Sequence, residues 1–225
     1  MHDRPLYDIT PFSALDYPDH LASIFWFAGC NMRCSYCYNR DIVLGEGLIS
    51  EAEALSFLKR RKGLLEAVVL SGGEATLYAP LPTLCETIKQ MGFKIKLDTN
   101  GLNPDMVKIL VENGLIDTIA LDYKAPKEKY LSITKNKHFD RFSETLNYLI
   151  AQDFSFEVRT TVHSDLLGAG EINRIMQDLK RRGYRGTYFL QSFVYTEQTL
   201  GKVKPEKSVF EENELKDTLN VVWRK

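Results

Sequence analysis

The chain contains the stretch Phe27-Ala28-Gly29-Cys30-Asn31-Met32-Arg33-Cys34-Ser35-Tyr36-Cys37, in which three cysteines have the spacing C-x3-C-x2-C. Three thiolates on one short loop can hold three irons of a 4Fe-4S cubane, which leaves the fourth iron without a protein ligand. An iron with an open coordination position can bind a small molecule and pass an electron to it. A structural zinc site fits less well, because it needs four ligands and no second C-x2-C pair exists.

The fourth cysteine, Cys85, lies in a helical pattern far along the chain and is expected to pack as a small buried apolar side chain. A disulfide framework is not expected, since a chain of 225 residues does not need one and no secretory signal pattern is present. Thiols kept free for iron predict a reducing, cytoplasmic location.

Chain length and net charge limit the possible domain organisation and partners. The 225 residues suit one large α/β domain or two small ones, with enough chain for a substantial core. The formal net charge is −1 and both signs are interspersed, which gives no sign of a nucleic-acid surface. No apolar run approaches the roughly 20 residues of a membrane span. We therefore expect neither nucleic acid nor a membrane as a partner.

Apolar segments of strand length alternate with segments of helical period along the chain. The predicted strands are Leu21–Ala28, Ala67–Leu70, Phe93–Asp98, Thr118–Asp122, Phe154–Val162 and Thr187–Phe193. The predicted helices are Ser50–Arg61, Leu81–Met91, Pro104–Asn113, Phe139–Gln152, Glu171–Arg182 and Glu211–Val222. Six β-then-α units predict a parallel sheet with helices outside. The fold prediction is α/β, an incomplete (β/α)6 barrel in a single domain over residues 1–225.

Local signals support several helix boundaries. Ser50 followed by Glu53 is typical of a capping box, and Pro104 suits the first turn of a helix. The last predicted helix, at about residues 211–222, depends on Leu215, Leu219 and Val222, whose helical spacing indicates packing on the barrel.

Polar side chains gather near the carboxyl ends of the predicted strands. They are Ser71, Asp98, Asn100, Asp122, Lys124, Arg159, Thr161 and His163. Barrel interiors are mostly Val, Ile and Leu, and buried charge is costly unless it meets a polar ligand or water. An active site is expected at this end of a parallel sheet. The alternative is that individual members lie in solvated loops.

The second predicted strand is followed by Ser71-Gly72-Gly73-Glu74-Ala75-Thr76. Two glycines let the backbone approach a ligand closely and adopt positive φ. A lone Gly-Gly-Glu is weak evidence, because such turns are common. Its position strengthens it, since it comes one β/α unit after the cysteine loop and at the carboxyl end of a strand.

Together these motifs resemble the radical S-adenosylmethionine (SAM) superfamily, in which the cysteine loop, here residues 29–38, binds a 4Fe-4S cluster. The resemblance implies Cys30, Cys34 and Cys37 as cluster ligands and SAM chelated to the open iron. It implies that the turn of Gly72, Gly73 and Glu74 receives the methionine amino group and that Tyr36 packs on the adenine. Ala75 replaces the more usual proline at a contact made mainly by backbone.

A closer resemblance, to the glycyl-radical-enzyme activases, rests on six segments, some of which contain the motifs above. These are Asp16-Tyr17-Pro18-Asp19, Gly29-Cys30-Asn31-Met32-Arg33-Cys34, Cys37-Tyr38-Asn39-Arg40-Asp41, Gly72-Gly73-Glu74-Ala75, Leu97-Asp98-Thr99-Asn100-Gly101 and Leu121-Asp122-Tyr123-Lys124. The activating protein of anaerobic ribonucleoside-triphosphate reductase is the most similar branch.

This resemblance implies contacts with the carboxylate and ribose of SAM from the third and fourth strand ends. The residues concerned are Asp98, Thr99, Asn100, Asp122 and Lys124, of which the Asp-Thr-Asn segment can also help hold a monovalent cation. Arg159 is a further candidate for the ligand's carboxylate, with the alternative that it pairs with Glu157 or another acid.

The activity implied is reductive cleavage of SAM to methionine and a 5′-deoxyadenosyl radical, which abstracts hydrogen from a glycine of a partner enzyme. The implied partners are a glycyl radical enzyme, with anaerobic ribonucleotide reductase as the leading candidate, and a flavodoxin-like or other low-potential electron donor. An open barrel leaves a lateral gap for the target glycine, and residues 196–209 are either a rim of that gap or a solvated connector.

Two departures from the activases lie where a partner would dock. Tyr38 stands where histidine is frequent, and Tyr17-Pro18-Asp19 replaces the Gly-Pro-Gly stretch that the pyruvate formate-lyase branch has before its first strand. His163 is either a hydrogen-bonded surface group or a residue that faces the substrate opening.

Two other functions compete with the activase hypothesis. The first is a radical SAM enzyme that acts on a small molecule, such as a 7-deazapurine precursor, or on a peptide. The second is a non-catalytic iron–sulfur or zinc module, which leaves Gly72-Gly73-Glu74, Asp98 and Lys124 without explanation.

Overall fold

The computed structural model describes residues 4–216 and 219–224. Its strands are β1 Leu6–Ser13, β2 Ala22–Phe27, β3 Ala67–Gly72, β4 Lys94–Thr99, β5 Thr118–Asp122, β6 Phe156–Val162, β7 Tyr188–Ser192 and β8 Val221–Arg224. Its helices are α1 Arg40–Leu44, α2 Glu51–Arg61, α3 Leu81–Gln90, α4 Pro104–Glu112, α5 Lys127–Thr134, α6 Phe139–Ala151 and α7 Ala169–Arg182. Short 3₁₀ turns occur at Ala75–Leu77 and Glu212–Glu214.

The strands follow one another in the sheet in chain order, from β1 to β8. β1 pairs antiparallel with β2, whereas β2 with β3, β3 with β4, β6 with β7 and β7 with β8 pair in parallel. β1 and β8 are the two ends of this order, so the sheet is not closed within the described residues. The α/β class with a parallel, unclosed sheet is therefore confirmed, and the six predicted strands correspond to β2 through β7.

The chain groups into two compact units. The first comprises the described part of Met1–Asn31 together with Asp41–Thr99 and Asn103–Ala120. The second comprises Met32–Arg40, Asn100–Leu102 and the described part of Leu121–Lys225. The single domain over residues 1–225 stays a prediction.

The first unit buries a cluster made of Tyr17 and of small or branched side chains on β2 and β3. Its members are Tyr17, Ala22, Ile24, Ala67 and Val69, with Trp26 packed against them. Helix α3 contributes an apolar stripe at helical spacing, made of Leu81, Leu84, Cys85 and Ile88, all fully buried. Each fully buried aliphatic side chain of this size stabilises the fold by roughly 1.5–3 kcal/mol. Cys85 thus packs as an apolar side chain, and burial raises the pKa of its thiol to about 12.

The second unit is centred on an aromatic cluster between β5 and helices α5 and α6. The ring centroids of Tyr123 and Phe142 lie 4.7 Å apart, and those of Tyr130 and Phe139 lie 5.1 Å apart, both edge-to-face. Such pairs add roughly 0.5–1.5 kcal/mol beyond the area that they bury. The buried Tyr123 hydroxyl donates to Asp178 of α7 at 2.9 Å, which satisfies its polar end.

The sequence signals for helix starts are confirmed. Ser50 caps α2, and the reciprocal bonds of the capping box join it to Glu53. Pro104 occupies the first turn of α4, and its N-cap Asn103 accepts a bond from the Met106 amide. Five predicted helices correspond to α2, α3, α4, α6 and α7 with boundaries within two residues. The elements α1, α5, β1 and β8 were not predicted.

The predicted C-terminal helix at residues 211–222 is wrong. A 3₁₀ turn occupies Glu212–Glu214, and residues 221–224 form β8, which pairs in parallel with β7; residues 217 and 218 lie outside the described residues. The run Val221-Val222-Trp223 is β-branched and aromatic, which favours a strand, and pairing with the edge of β7 overrides the helical spacing. None of the described helices is long and apolar enough to cross a membrane.

Candidate functional site

The approach to Cys30 is set by a left-handed glycine. β2 ends at Phe27, and Gly29 adopts φ +81° while its amide donates to the Ile42 carbonyl at 2.8 Å. A Cβ at this position would meet nothing within 4 Å, so it is the backbone conformation that requires glycine here. This turn carries Cys30 away from the end of β2, at the carboxyl edge of the first unit's parallel strands.

The Gly-Gly-Glu turn after β3 packs directly against this segment. The Gly73 amide donates to the Phe27 carbonyl at 2.8 Å, and the Glu74 amide donates to the Gly29 carbonyl at 2.9 Å. A Cβ on Gly73 would lie 1.8 Å from the Gly29 oxygen and 3.3 Å from the Cβ of Cys30. The turn therefore needs glycine at this position, and the structure brings it into contact with the first predicted cluster ligand.

The carboxylate of Glu74 is buried and held in place, with only 2% of the residue exposed. Its Oε1 atom accepts bonds from the Thr76 hydroxyl at 2.6 Å and the Thr99 hydroxyl at 2.8 Å. A buried carboxylate needs such donors, because an unsatisfied charge would be far more costly. Thr99, which the sequence predicted as part of the SAM site, therefore bonds to Glu74 and helps to orient its carboxylate.

Asp98 of β4 sits in a polar network that includes a lysine not identified from the sequence. The Ser71 hydroxyl donates to Asp98 Oδ2 at 3.2 Å, and Lys96 Nζ lies 3.2 Å from Asp98 Oδ1. Lys96 is buried and also donates to the Asp16 carbonyl at 2.7 Å. Lys96 and Asp98 are two residues apart and therefore lie on the same face of β4. This spacing was the sequence signal from which Lys96 could have been identified.

The second unit carries Cys34 and Cys37, which follow each other in a tight turn. The Cys37 amide donates to the Cys34 carbonyl at 3.0 Å, and both thiols are free. Cys34 is 6% exposed, and burial raises the pKa of its thiol to about 11, against a lowering effect of Lys124. A metal is bound by the thiolate, not by the thiol, and a bound metal stabilises that form. A buried cysteine under the influence of a lysine is therefore suited to bind a soft metal.

Asp122, at the end of β5, bonds to two cations. Lys124 Nζ lies 2.9 Å from Asp122 Oδ2, and Arg159 Nε of β6 lies 3.1 Å from Asp122 Oδ1. Burial acts to raise the pKa of Asp122, but the charges of Arg159 and then Lys124 outweigh it and hold that pKa below its usual value. Arg159 therefore has an acidic partner, Asp122, while Glu157 forms a bidentate pair with Arg224.

Tyr36 lies between the two cysteines of this unit and is almost fully buried. Its hydroxyl is 3.4 Å from the Lys124 carbonyl, which links the cysteine turn to the segment after β5. Asn100 has a local structural role, because its Oδ1 atom accepts a bond from the Leu102 amide at 3.0 Å. Its side chain thereby shapes the turn at Gly101, where φ is +73°.

Two residues of unassigned role have distinct environments. His163 is 2% exposed, its Nε2 lies 3.0 Å from the Lys204 carbonyl, and its ring packs on Phe193. A carbonyl only accepts, so Nε2 carries the proton and Nδ1 is left without a hydrogen-bond partner among the described residues. His163 is thus not a surface group.

Tyr38, in contrast, is 55% exposed.

Thiol sulfur is the donor that iron–sulfur clusters use, so the residues of the cysteine motif fit such a cluster by their chemistry. Across residues 4–216 and 219–224, no three His, Cys, Asp or Glu side chains converge on one ion position. In a cubane each cysteine sulfur binds a different iron, so three ligands need not converge on one point. Cys30 belongs to the first unit and Cys34 and Cys37 to the second. Joint ligation of one cluster by these three cysteines remains a prediction.

Fold and motifs define an α/β enzyme built on a parallel sheet with a cysteine loop at the carboxyl end of its first parallel strand. The model of the radical SAM superfamily matches residues 24–179, so the chain belongs to that superfamily. Membership implies a 4Fe-4S cluster and SAM as cofactors.

Two similar proteins come from Methanocaldococcus jannaschii, and both are provisionally named glycyl-radical enzyme activating enzymes. One is 35% identical over 132 residues, which cover 56% of this chain and 53% of that protein. The other is 26% identical over 183 residues, which cover 80% of this chain and 70% of that protein. The chain thus spans about half the length of the first relative.

A solved structure of SuiB from Streptococcus suis, bound to S-adenosylmethionine, is similar with a TM-score of 0.70. The identity is 14%, and the match covers 90% of this chain and 52% of that chain. At this identity the likeness concerns the fold alone, and it agrees with the superfamily assignment.

Proposed function

We propose that this radical SAM enzyme activates a glycyl radical enzyme, with anaerobic ribonucleoside-triphosphate reductase as the partner. The observation that carries the SAM chemistry is the contact of the Gly-Gly-Glu turn with Gly29 and Cys30. The activase motifs and the provisional names of two relatives support the class of partner.

In this proposal Cys30, Cys34 and Cys37 hold three irons of the cluster. When bound, the cluster and SAM supply a one-electron reductive cleavage that yields a hydrogen-abstracting radical. The chain's own task is to ligate, to orient and to keep water out. The positive charge of Lys124 acts to lower the pKa of the Cys34 thiol, which reduces the cost of ionising this one proposed ligand.

The residues after β3, β4 and β5 are suited to different parts of SAM. The buried carboxylate of Glu74, oriented by Thr76 and Thr99, complements an ammonium such as the methionine amino group. Asp122 is kept ionised by its two cations and can accept bonds from ribose hydroxyls. Lys124 and Arg159 are the groups of that cluster that can pair with the methionine carboxylate.

The monovalent cation near Asp98 and Thr99 is part of the same proposal. Asp98 already lies 3.2 Å from the Lys96 ammonium, so a second cation there would share its carboxylate with a fixed positive charge. The cation is tested by measuring SAM cleavage after exchange into a buffer whose only monovalent cation is a bulky tetraalkylammonium, with and without added potassium.

The decisive experiment is anaerobic incubation of the reconstituted chain with reductant, SAM and the candidate reductase. We expect 5′-deoxyadenosine in the products and a glycine-centred radical by electron paramagnetic resonance. Cys34→Ala is expected to abolish both. Cys85→Ala is the matched control, because Cys85 is a buried residue of α3 away from the cysteine motif in the sequence, and it is expected to retain both.

Two outcomes would contradict the proposal. If Cys34→Ala still bound a full cluster and cleaved SAM, the ligand assignment would be wrong. If 5′-deoxyadenosine formed at the expense of an added small molecule, such as a 7-deazapurine precursor, with no radical on any partner, the activase assignment would be wrong and the superfamily chemistry would stand. An electron donor of the flavodoxin type is proposed as the physiological reductant and can replace the chemical one in the same assay.

A further inference from the structure

The backbone of the cysteine turn is held along one edge by the end of helix α5. The Arg33 amide donates to the Thr134 carbonyl at 2.8 Å, and the Ser35 amide donates to the Ile133 carbonyl at 2.9 Å. These carbonyls belong to the last turn of α5, where helical carbonyls lack partners within the helix. The helix end thus satisfies its own acceptors by fixing the residues on either side of Cys34.

The same turn is held along its other edge by residues 196–209, which we call the strap. The Leu200 amide donates to the Cys37 carbonyl at 2.9 Å, and the Gly201 amide donates to the Ser35 carbonyl at 2.8 Å. Ser35 is therefore bonded at its amide by α5 and at its carbonyl by the strap. The two proposed cluster ligands of this unit, Cys34 and Cys37, lie within two residues of it.

The approach of the strap requires glycine at position 201. A Cβ built on Gly201 would lie 2.7 Å from both the Cα and the carbonyl oxygen of Ser35. Those are backbone atoms, so a larger residue cannot be accommodated by turning a side chain aside. The φ of Gly201 is not in the left-handed region, which means that close contact, not conformation, selects glycine.

The far end of the strap is fastened to the loop that follows β6. Asp165 accepts bonds from the amides of Lys207 and Ser208, both at 3.0 Å, and from the Ser208 hydroxyl at 2.6 Å. The His163 Nε2–H donates to the Lys204 carbonyl at 3.0 Å. The Ser208 hydroxyl, as the first cause, and the Lys207 amide lower the pKa of Asp165, so this carboxylate stays ionised and keeps its bonds.

We propose that the strap is a positioning element for the cluster, acting through Gly201 and Leu200 on the backbone of Ser35 and Cys37. Held on both edges, the turn keeps Cys34 and Cys37 in place in the absence of metal, so less conformational entropy is lost when iron binds. The strap also limits the opening of the turn through which iron would leave. This inference rests on the proposed function, because it takes these cysteines as cluster ligands.

The test compares Gly201→Ala with Gly170→Ala in the full chain, reconstituted anaerobically. Gly170 is in the first turn of α7, and a Cβ there meets nothing within 4 Å, so this variant is a matched control. Gly201→Ala is expected to release iron to a chelator roughly 10–100-fold faster, the usual size of effect for groups that orient metal ligands. It is also expected to change the electron paramagnetic resonance signal of the reduced cluster, which a loss of general stability would not do.

A second variant covers the case in which Gly201→Ala does not fold. Asp165→Ala touches neither cysteine and lies at an exposed position, yet it removes three of the bonds that hold the far end of the strap. Faster iron release in this variant, in a smaller amount than for Gly201→Ala, supports the inference. Release at the wild-type rate from a folded Gly201→Ala, or from Asp165→Ala where the former is unfolded, overturns it.

Amide hydrogen exchange of the metal-free chain separates this inference from the proposed function. The Leu200 and Gly201 amides are expected to be protected before any cluster is added, and Asp165→Ala is expected to reduce that protection. Unprotected amides overturn the strap even if the chain holds a cluster. Protected amides in a chain that binds no iron leave the strap's contacts intact and overturn the proposed function.

Discussion

Asp122 shows at the scale of one residue how a charged side chain is stabilised at the carboxyl end of β5. Its two oxygens each bond to a different cation, Lys124 at 2.9 Å and Arg159 at 3.1 Å. The pair of cations in turn depends on this carboxylate, because burial acts to lower the pKa of Lys124 and Asp122 outweighs that effect. Removal of the carboxylate leaves two positive charges close together with reduced hydration.

We predict that Asp122→Asn lowers the free energy of unfolding of the metal-free chain by about 2–3 kcal/mol at neutral pH. This lies below the roughly 3–5 kcal/mol for breaking a fully buried pair, because 20% of the side chain is exposed. Asp153→Asn is the control, since Asp153 is exposed and its left-handed backbone also suits asparagine. Urea denaturation measures both, and equal stabilities of Asp122→Asn and wild type would contradict the prediction.

The lowered pKa of Asp122 also fixes the pH dependence of that difference. A group with a lowered folded-state pKa stabilises the fold above its unfolded pKa, about 3.9 for aspartate. Its contribution is lost as the pH falls through the folded-state value. The stability gap between wild type and Asp122→Asn should therefore be constant above about pH 5 and shrink below about pH 4. A gap that widened on acidification would show that the carboxylate is not held ionised in the folded chain.

Single residues also mark what could be predicted of the site. Cys30, Cys34 and Cys37 could be proposed as cluster ligands because their spacing is a property of the sequence itself. Lys96 was within reach, since it alternates with Asp98 along β4. The contacts of the strap with the cysteine turn were not, because they join backbone amides to backbone carbonyls and leave no side-chain pattern; Gly201 marks one of them in the sequence.

At the scale of elements, the prediction succeeded where an apolar pattern was long and failed where it was short. The six predicted strands and five helices are elements whose buried faces repeat over several residues. β8 has four residues, and its apolar spacing fitted a helix as well as a strand until its pairing with β7 was known. β1 escaped prediction because its apolar residues do not alternate regularly and Pro11 lies within it, which weakens the signal of a strand.

What fixes β8 in place is a side-chain contact as well as strand pairing. The Arg224 guanidinium forms a bidentate pair with Glu157 of β6 at 2.7 and 2.8 Å. It also lies 3.5 Å above the ring of Phe189 in β7. One side chain of the last strand thus connects it to its two nearest neighbours in the order of the sheet.

We predict that Arg224→Gln lowers the free energy of unfolding by about 1–2 kcal/mol, the combined size of a partly exposed ion pair and a cation–π contact. Arg224→Lys should recover part of the loss, because lysine keeps the charge and lacks the planar fork. Urea denaturation gives both values, and amide exchange should show faster opening of β8 in Arg224→Gln. Wild-type stability in Arg224→Gln would mean that strand pairing alone retains β8.

At the scale of the whole molecule, charged side chains recur near the carboxyl ends of strands, where ligands of parallel sheets are expected to bind. The charged groups of Glu74, which is buried, and of Asp122 and Lys124, which are partly buried, lie near the carboxyl ends of strands, where well-packed apolar side chains are often as stabilising or more so. Natural proteins accept such a cost at functional sites, and ligand binding recovers part of it. The stability of the folded chain should therefore respond to its cofactors.

We predict that SAM stabilises the cluster-loaded chain by about 2.7 kcal/mol at a concentration of 100 times its Kd. For a chain of this length that corresponds to a rise in Tm of roughly 5–10 °C, measured anaerobically by differential scanning fluorimetry. Glu74→Gln should show a much smaller rise, because glutamine cannot offer a negative charge to the methionine ammonium. Glu86→Gln, the same change at an exposed position of α3, should respond as the wild type does. A full rise in Glu74→Gln would remove Glu74 from the SAM site, and no rise in the cluster-loaded wild type would remove SAM as the ligand of this fold.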